Sequence, residues 1–213
     1  MKIALIGATG FVGTALLTEL LQRGHQVTAL VRHPEKLPQH PQLHAVRADA
    51  QDAAQVAAAV AGHDAVLSAF NPGWGNPDIY AQFVSGSRAI AAGVKQAGVA
   101  RYLVVGGAGS LEIAPGMQLV DTDDFPAEWK QGALGARDVL TELRQESVLD
   151  WVFLSPPVFL EPGARTGQYR VGGDQVLMGE AGPARISVAD LAVALVDEAE
   201  TPRHHRQRFT VGY

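Results

Sequence analysis

Short apolar runs alternate along this chain with longer segments in which apolar residues recur at helical spacing. The runs are rich in Val, Ile, Leu and Ala, which is typical of strands buried on both faces of a parallel sheet. They lie at residues 2–6, 25–31, 43–47, 63–70, 100–106, 150–155 and 208–212, and the helical segments lie at 14–23, 53–61, 78–97, 131–146 and 187–200. This order predicts an α/β fold, a doubly wound parallel sheet with helices on both faces. No linker or repeat divides the 213 residues, so we expect one domain over residues 1–213.

A glycine-rich turn joins the first predicted strand to the first predicted helix. Gly7, Gly10 and Gly13 follow the apolar run at intervals of three. Gly7 would let the chain turn sharply, Gly10 would let a pyrophosphate approach the backbone, and Gly13 would let the helix pack against the strand. The unpaired N–H groups at the helix start would then face the phosphates. The predicted dinucleotide-binding residues of this turn are Gly7, Thr9, Gly10, Phe11, Val12 and Gly13.

The spacing of these glycines leaves one alternative open. It is G-x-x-G-x-x-G rather than the G-x-G-x-x-G of the common dinucleotide fingerprint, and an ordinary glycine turn would look similar. The strand before the turn and the helix after it favour the dinucleotide site.

The end of the second predicted strand carries the residues that select the cofactor. An acidic residue there would bind the ribose 2′-hydroxyl of NAD(H) and repel a 2′-phosphate. This chain has Arg32 followed by His33, with Lys36 nearby. Because a guanidinium can pair with a phosphate through its planar fork, the pattern favours NADP(H) over NAD(H). The alternative is that Arg32 is a solvated charge at a strand end.

The ends of the other strands supply the remaining candidate contacts, because ligands bind at the carboxyl ends of the strands in such sheets. Asp49 follows the third strand, where it would lie near the adenine or serve only as a turn residue. Ala69 and Phe70 end the fourth strand, Gly107 follows the fifth and Pro156 follows the sixth. We predict that these residues contact the cofactor.

The composition disfavours several other functions. A net charge of −5 without a basic block argues against direct nucleic-acid binding. The chain has no cysteine, and its seven histidines show no metal-ligand spacing, so we predict neither a thiolate nucleophile nor a metal site. It shows no signal-peptide pattern and no apolar run of about 18 residues, so we expect a cytoplasmic protein without membrane contact.

The segment 161–182 departs from the alternation of strands and helices. It is rich in glycine and contains short alternating stretches, which predicts short strands on a loop excursion that caps the substrate. Ser187 and Asp190 then match a capping box and predict the start of the last helix.

Several stretches of this chain resemble the atypical short-chain dehydrogenase/reductases. They are Gly7–Gly13, Val104–Ser110, Leu111–Gly116, Phe125–Lys130 and Arg185–Leu191. Within that superfamily the chain is similar to the single-domain NAD(P)H-binding proteins described as NADH-flavin reductases, which are akin to the NmrA-like and biliverdin reductase B groups. The resemblance implies a Rossmann fold of six or seven parallel strands with a small C-terminal substrate region.

One motif of the larger family is missing. Short-chain dehydrogenases place a Ser after the fifth strand and a Tyr-x-x-x-Lys on the next helix, where the Lys lowers the pKa of the Tyr that transfers the alcohol proton. Ser110 stands roughly at the Ser position, but the chain contains no Tyr-x-x-x-Lys, and Trp129 and Lys130 lie near the expected place. We therefore do not expect carbonyl or alcohol redox by that route.

A flavin or quinone can accept hydride without a protein acid, because its own ring delocalises the charge. We therefore predict an NAD(P)H-dependent reductase of a flavin, quinone or similar small conjugated acceptor. The aromatic residues Phe70, Trp74, Trp129 and Phe159 are candidates for stacking against the acceptor, or core residues. Ser110 would orient the acceptor or a water, or serve only as a turn residue.

Two other functions remain open from the sequence. The first is a redox sensor that binds NADP(H) and acts through a partner, as in NmrA-like regulators. The second is a conventional dehydrogenase or epimerase, which the missing Tyr-x-x-x-Lys disfavours. In each case we expect a monomer or a homodimer.

Overall fold

The computed structural model describes residues 1–213 and contains fourteen strands and five α-helices. The strands are β1 (Lys2–Ile6), β2 (Gln26–Val31), β3 (Leu43–Arg47), β4 (Ala65–Ser68), β5 (Arg101–Val105), β6 (Glu112–Ala114), β7 (Met117–Gln118), β8 (Asp150–Ser155), β9 (Phe159–Glu161), β10 (Arg170–Gly172), β11 (Met178–Gly179), β12 (Gly182–Pro183), β13 (Arg185–Ser187) and β14 (Gln207–Gly212). The helices are α1 (Phe11–Gln22), α2 (Ala53–Val60), α3 (Ile79–Gln96), α4 (Ala127–Leu143) and α5 (Val188–Glu200).

Eight of these strands form one central sheet in the order β10-β14-β8-β5-β4-β1-β2-β3. Seven of them run parallel, and β10 pairs antiparallel with β14 at one edge. The predicted doubly wound sheet of six to seven parallel strands is therefore confirmed, with an antiparallel edge strand added. Because β10 comes from the segment 161–182, part of the predicted loop excursion belongs to the main sheet.

The side chains of β1 show how the sheet joins two helical layers. Ile3 and Leu5 pack in the layer that contains α1 and α5, whereas Ala4 and Ile6 pack in the layer of α2, α3 and α4. Successive side chains of a strand point to opposite faces, so a strand covered on both sides is apolar at every position. No helix is both long enough and apolar enough to cross a membrane.

Helix α4 begins earlier than the sequence pattern predicted. We predicted a start near residue 131, but the first helical residue is Ala127, directly after Pro126. Proline suits a helix start because its ring presets φ and its missing N–H removes no helical hydrogen bond there, and Glu128 complements the positive end of the helix dipole. Trp129 and Lys130 therefore lie in the first turn of α4 rather than in a preceding loop.

The predicted capping box at α5 is only half formed. The Ser187 hydroxyl accepts a hydrogen bond from the Asp190 backbone N–H at 3.0 Å, as predicted. The Asp190 carboxylate does not reach back to Ser187 and instead accepts from the backbone N–H groups of Thr166 and Gly167. Aspartate is one methylene shorter than the glutamate of the usual motif. Its carboxylate therefore anchors the segment that enters β10.

Candidate functional site

The order of the strands reverses beside β1, with β2 and β3 on one side and β4, β5 and β8 on the other. In open α/β sheets, ligands bind in the crevice at the carboxyl ends of the strands where the order reverses. Gly7 and Ala69 are the residues that follow β1 and β4 at this point. They lie side by side, since the Ala69 N–H donates to the Ile6 carbonyl at 2.9 Å.

Two glycines of the turn are required by close backbone contacts. Gly7 has a φ of +82°, and a Cβ at this position would lie 2.5 Å from the Ala69 carbonyl oxygen. A Cβ at Gly13 would lie 1.9 Å from the Gly7 carbonyl oxygen, so α1 starts in direct contact with the turn. Gly7 and Gly13 thus perform the structural roles expected from the sequence.

Gly10 differs from these two glycines because the space beside it is open. A Cβ there would come no closer than 3.4 Å to the Gly7 carbonyl oxygen. Gly10 is exposed and caps α1, and the first-turn N–H groups of Phe11, Val12 and Gly13 have no acceptor within the helix. The dipole of α1 adds a partial positive charge at the same place. A helix start with free N–H donors and an exposed glycine that places no side chain in front of them fits the pyrophosphate of a dinucleotide.

The end of β2 presents a free cation. The side chain of Arg32 is exposed and takes part in none of the ion pairs or hydrogen bonds of the protein. The nearest carboxylate along the chain, Glu35, is bonded to His33 at 3.0 Å and lies 3.9 Å from Arg47. Asp49 is exposed after β3, where one carboxylate oxygen closes a turn by accepting the Gln51 N–H. Arg32 is therefore available to a ligand phosphate.

The remaining candidate contacts lie at the ends of neighbouring strands. Ala69 and Phe70 follow β4, Gly107 follows β5 and Pro156 follows β8, and these three strands are adjacent in the sheet. All four residues are half-buried. The structure therefore brings them to the same edge of the sheet as the glycine turn.

Only one of the four candidate aromatic residues packs into the protein. The Phe70 ring lies over Gly86 of α3, where a Cβ would be 2.5 Å from the ring, and its centroid is 6.2 Å from that of Phe83. Trp129 is 50% exposed, and Trp74 is 57% exposed although one edge of its indole covers Gly132. Gly132 and Trp129 are three residues apart and lie on neighbouring parts of one helix surface.

The fourth aromatic residue, Phe159, is the first residue of β9, which follows β8 and pairs with β13 outside the central sheet. It is 43% exposed, and the Arg185 guanidinium lies 5.9 Å from the centroid of its ring. Three aromatic surfaces, those of Trp74, Trp129 and Phe159, thus remain accessible in the connections after β4, β5 and β8.

Ser110 lies in a short 3₁₀ turn after β5 and is almost completely buried, with 2% of its surface exposed. Its neighbour is Arg208 of β14, whose Nη1 lies 3.2 Å from the Ser110 carbonyl oxygen and 3.4 Å from Oγ. We did not predict a role for Arg208. The signal in the sequence was a charged residue inside the last apolar strand.

The fold does not pair a tyrosine with a lysine that could substitute for the missing Tyr-x-x-x-Lys. Tyr102 is buried in the core, and its burial raises the pKa of the phenol. The other three hydroxyls donate to carboxylates, in the pairs Tyr80 with Asp138, Tyr169 with Asp197, and Tyr213 with Asp190. No tyrosine hydroxyl is hydrogen-bonded to a lysine.

The fold and the glycine turn define a Rossmann-like NAD(P)H-binding oxidoreductase architecture. Residues 7–199 match the family described as NAD(P)H-binding, and the chain belongs to that family. The resemblance inferred from the sequence motifs is therefore confirmed.

Known relatives resemble this protein over its whole length. The uncharacterized protein YwnB of Bacillus subtilis strain 168 is 40% identical over 215 residues, which cover 99% of this chain and 98% of YwnB. A proposed epimerase of Bacteroides thetaiotaomicron has a similar structure, with 47% identity, a TM-score of 0.94 and coverage of 100% of this chain and 96% of that one. A proposed NADH-flavin reductase of Streptococcus pneumoniae TIGR4 is 36% identical, with a TM-score of 0.86 and coverage of 100% and 99%.

Proposed function

We propose that this protein uses NADPH to reduce a flavin, a quinone or a similar conjugated small molecule. The bound nucleotide would supply the hydride, and the protein would bind it, hold the acceptor against it and exclude competing reactions. The similarity to the proposed NADH-flavin reductase of Streptococcus pneumoniae supports this class of acceptor.

The nucleotide would lie across the edge of the sheet. In this proposal the backbone from Thr9 to Gly13 binds the pyrophosphate, Arg32 binds the 2′-phosphate and Asp49 lies near the adenosine. The nicotinamide would contact the remaining predicted residues, which are Ala69, Phe70, Gly107 and Pro156. The unpaired guanidinium of Arg32 supports NADPH as the preferred nucleotide, because the charge needs no rearrangement before it binds phosphate.

The choice of acceptor rests on the environment of the four tyrosines. Three of their hydroxyls donate to carboxylates, the fourth tyrosine is buried in the core, and none is paired with a lysine. Reduction of a carbonyl requires an acid that protonates the developing alkoxide. A flavin or quinone spreads the charge over its ring and takes its proton from water. Trp129 would stack against such a ring, with Trp74 beside it. Ser110 would orient the acceptor or a water at the buried end of the site. We propose that the reaction takes place in the cytoplasm, in a monomer or a homodimer.

Calorimetric titration with NADPH and NADH, followed by an acceptor screen on the same sample, tests this proposal. We expect tighter binding of NADPH and steady NADPH oxidation after addition of FMN, FAD or a quinone. Nucleotide binding without turnover of any acceptor would contradict the reductase.

That outcome would support a second candidate, an NADP(H)-binding redox sensor. The observation in its favour is the burial of Ser110, which leaves this hydroxyl little direct access to an acceptor. An epimerase, the activity proposed for the relative from Bacteroides thetaiotaomicron, is a weaker candidate. It would need a phenol or another acid beside the substrate carbon, and the tyrosines are engaged elsewhere.

A further inference from the structure

The guanidinium of Arg208 connects three separate segments of the protein. It donates to Ser110 after β5, and its Nε lies 2.7 Å from Oδ1 of Asp174 in the segment between β10 and β11. Its Nη2 also donates to the Asp174 carbonyl oxygen at 3.1 Å. The side chain itself belongs to β14 and is only 2% exposed. A long cationic side chain is rarely buried to this extent unless it is paired, and here Asp174 is the partner.

The carboxylates around Arg208 are more exposed to water than its guanidinium is. Its one carboxylate partner, Asp174, is 55% exposed and also pairs with Arg144 at 2.9 Å. One carboxylate therefore serves two guanidinium groups, and the more exposed of these is Arg144, with 48% of its side chain accessible. Glu112 is a further carboxylate in this region, but it forms no ion pair with Arg208. Asp174 and Glu112 match Arg208 and Arg144 in number, but water screens the exposed Asp174 carboxylate more than the buried Arg208 guanidinium.

The hydroxyl of Ser110 lies next to this charge, in the turn that follows β5. Its Oγ faces Nη1 of Arg208, and its own proton has no acceptor within the protein. A hydroxyl that accepts from a cation becomes a better donor, since hydrogen bonds in a chain polarise one another. The low exposure of both residues keeps water from screening the interaction.

We infer that Arg208 is a positioning residue that holds the Ser110 turn and places a fixed positive charge behind the acceptor site, so that the site favours ligands that become anionic. The inference rests on the proposed function for the identity of the reaction. In that reaction a hydride, with its two electrons, passes from the reduced nicotinamide to the acceptor. The nicotinamide is oxidised, the acceptor gains one negative charge, and a proton from water then completes its reduction.

Arg208 would therefore serve the purpose that lysine serves beside the tyrosine of short-chain dehydrogenases. It provides a permanent charge near a hydroxyl. Stabilisation of developing negative charge by donors arranged in advance is a large contribution to catalysis in dry sites.

The test uses 4-nitrophenol, because its phenolate absorbs in the visible range and mimics an anionic reduced ring without accepting hydride. Absorbance titrations of the full-length protein with saturating NADP⁺ measure the affinity of the phenol and the phenolate separately. We expect the wild type and Arg208→Lys to bind the phenolate about tenfold more tightly than the phenol, and Arg208→Met to lose this preference. Ser110→Ala should reduce it and leave NADP⁺ binding unchanged.

Asp174→Asn gives the most direct result, because it keeps the shape of the side chain and removes its charge. Thermal unfolding is measured on the same variant, since the buried guanidinium of Arg208 loses its carboxylate. The substitution removes negative charge near Arg208, so we expect tighter phenolate binding. If the role of Arg208 is only to tie segments together, Asp174→Asn and Arg208→Met will both weaken binding of either form.

Failure of the wild type to prefer the phenolate overturns the inference. Failure of the wild type to reduce any flavin or quinone contradicts the proposed function, but the phenolate preference would still be measured. In a protein that does reduce an acceptor, Arg208→Lys should retain kcat and Arg208→Met should lower it, with the NADPH affinity unchanged in both.

Discussion

Arg165, in the segment after β9, forms a bidentate ion pair with Glu19 of helix α1. The Arg165 Nε donates to Glu19 Oε2 at 2.7 Å, and its Nη2 donates to Oε1 at 2.8 Å. Glu19 also accepts from Arg23, the residue directly after its own helix, and its side chain is only 4% exposed. The helix that starts at the glycine turn is thereby tied to the segment that the sequence predicts to cap the substrate.

We expect Glu19→Gln to destabilise the protein by about 2–4 kcal/mol, because it leaves two guanidinium groups without their carboxylate. Chemical denaturation measures this change. Glu161→Gln is the matched control, since the only partner of Glu161 is Arg185, at 3.7 Å, and both side chains are at least half exposed. The control should change the free energy of unfolding by a few tenths of a kcal/mol.

The pH dependence of stability gives a separate prediction for the same carboxylate. Hydrogen bonds from Arg165 and Arg23 lower the pKa of Glu19 from its ordinary value of 4.5, although burial acts in the opposite direction. A group whose pKa is lower in the folded protein stabilises it above the unfolded pKa and loses this contribution as the pH falls through the folded pKa. The stability difference between the wild type and Glu19→Gln should therefore be constant at neutral pH and shrink below pH 4.5. A difference that is independent of pH down to acid unfolding would contradict this account.

Substitutions at two glycines of the turn should have different effects, one on nucleotide binding and the other on folding. The Cβ added by Gly10→Ala would come no closer than 3.4 Å to any atom of the protein. The free energy of unfolding should therefore change by less than about 1 kcal/mol. The new methyl group would face the pyrophosphate, and we expect the Kd for NADPH to rise about tenfold or more. Calorimetry and thermal unfolding on the same sample measure both quantities.

Gly13→Ala should instead damage the fold. Its Cβ would lie 1.9 Å from the Gly7 carbonyl oxygen, and we expect a loss of more than about 2 kcal/mol. Gly173→Ala is the control, because nothing lies within 4 Å of a Cβ at that position. If Gly10→Ala bound NADPH as tightly as the wild type, the turn would not hold the pyrophosphate.

Arg32 should determine whether the protein prefers NADPH or NADH. We expect Arg32→Ser to raise the Kd for NADPH about 10–100-fold and to leave the Kd for NADH unchanged, because only NADPH carries the 2′-phosphate that forms a charge-assisted hydrogen bond. Arg203→Ser removes the same charge from an exposed position between α5 and β14. Equal weakening of NADPH binding in both variants would indicate a general charge effect rather than a specific contact.

Trp129 should contribute to acceptor binding and not to stability. Half of its surface is exposed, so Trp129→Ala should leave the melting temperature nearly unchanged. Loss of aromatic stacking worth about 1 kcal/mol should raise KM for a flavin or quinone about fivefold. Val148→Ala, at an exposed apolar residue just before β8, is the control. Unchanged acceptor KM in Trp129→Ala would place the stacking surface elsewhere.

Most of the fold was predictable because its signals are local. The apolar run of β1, the glycine turn and the Asp52 cap of α2 each depend on residues close together in the chain. The Asp52 carboxylate, for example, accepts from two backbone N–H groups just after it. The start of α4 was placed four residues too late, because the proline before it was interpreted as part of a loop. The exposure of Trp129 and the packing of Phe70 on α3 could not be separated from sequence, since both are aromatic residues near strand ends.

The sequence by itself determined the strand-turn-helix unit and the position of its glycines, because backbone periodicity and the conformational freedom of glycine act within a few residues. Only the tertiary structure decided which distant side chains meet. Arg208 and Ser110 are 98 positions apart, and Arg165 and Glu19 are 146 apart. Their contacts follow from the order of the strands and from the path of the segment between β9 and β14. Strand order depends on the packing of the whole chain, and no local pattern encodes it.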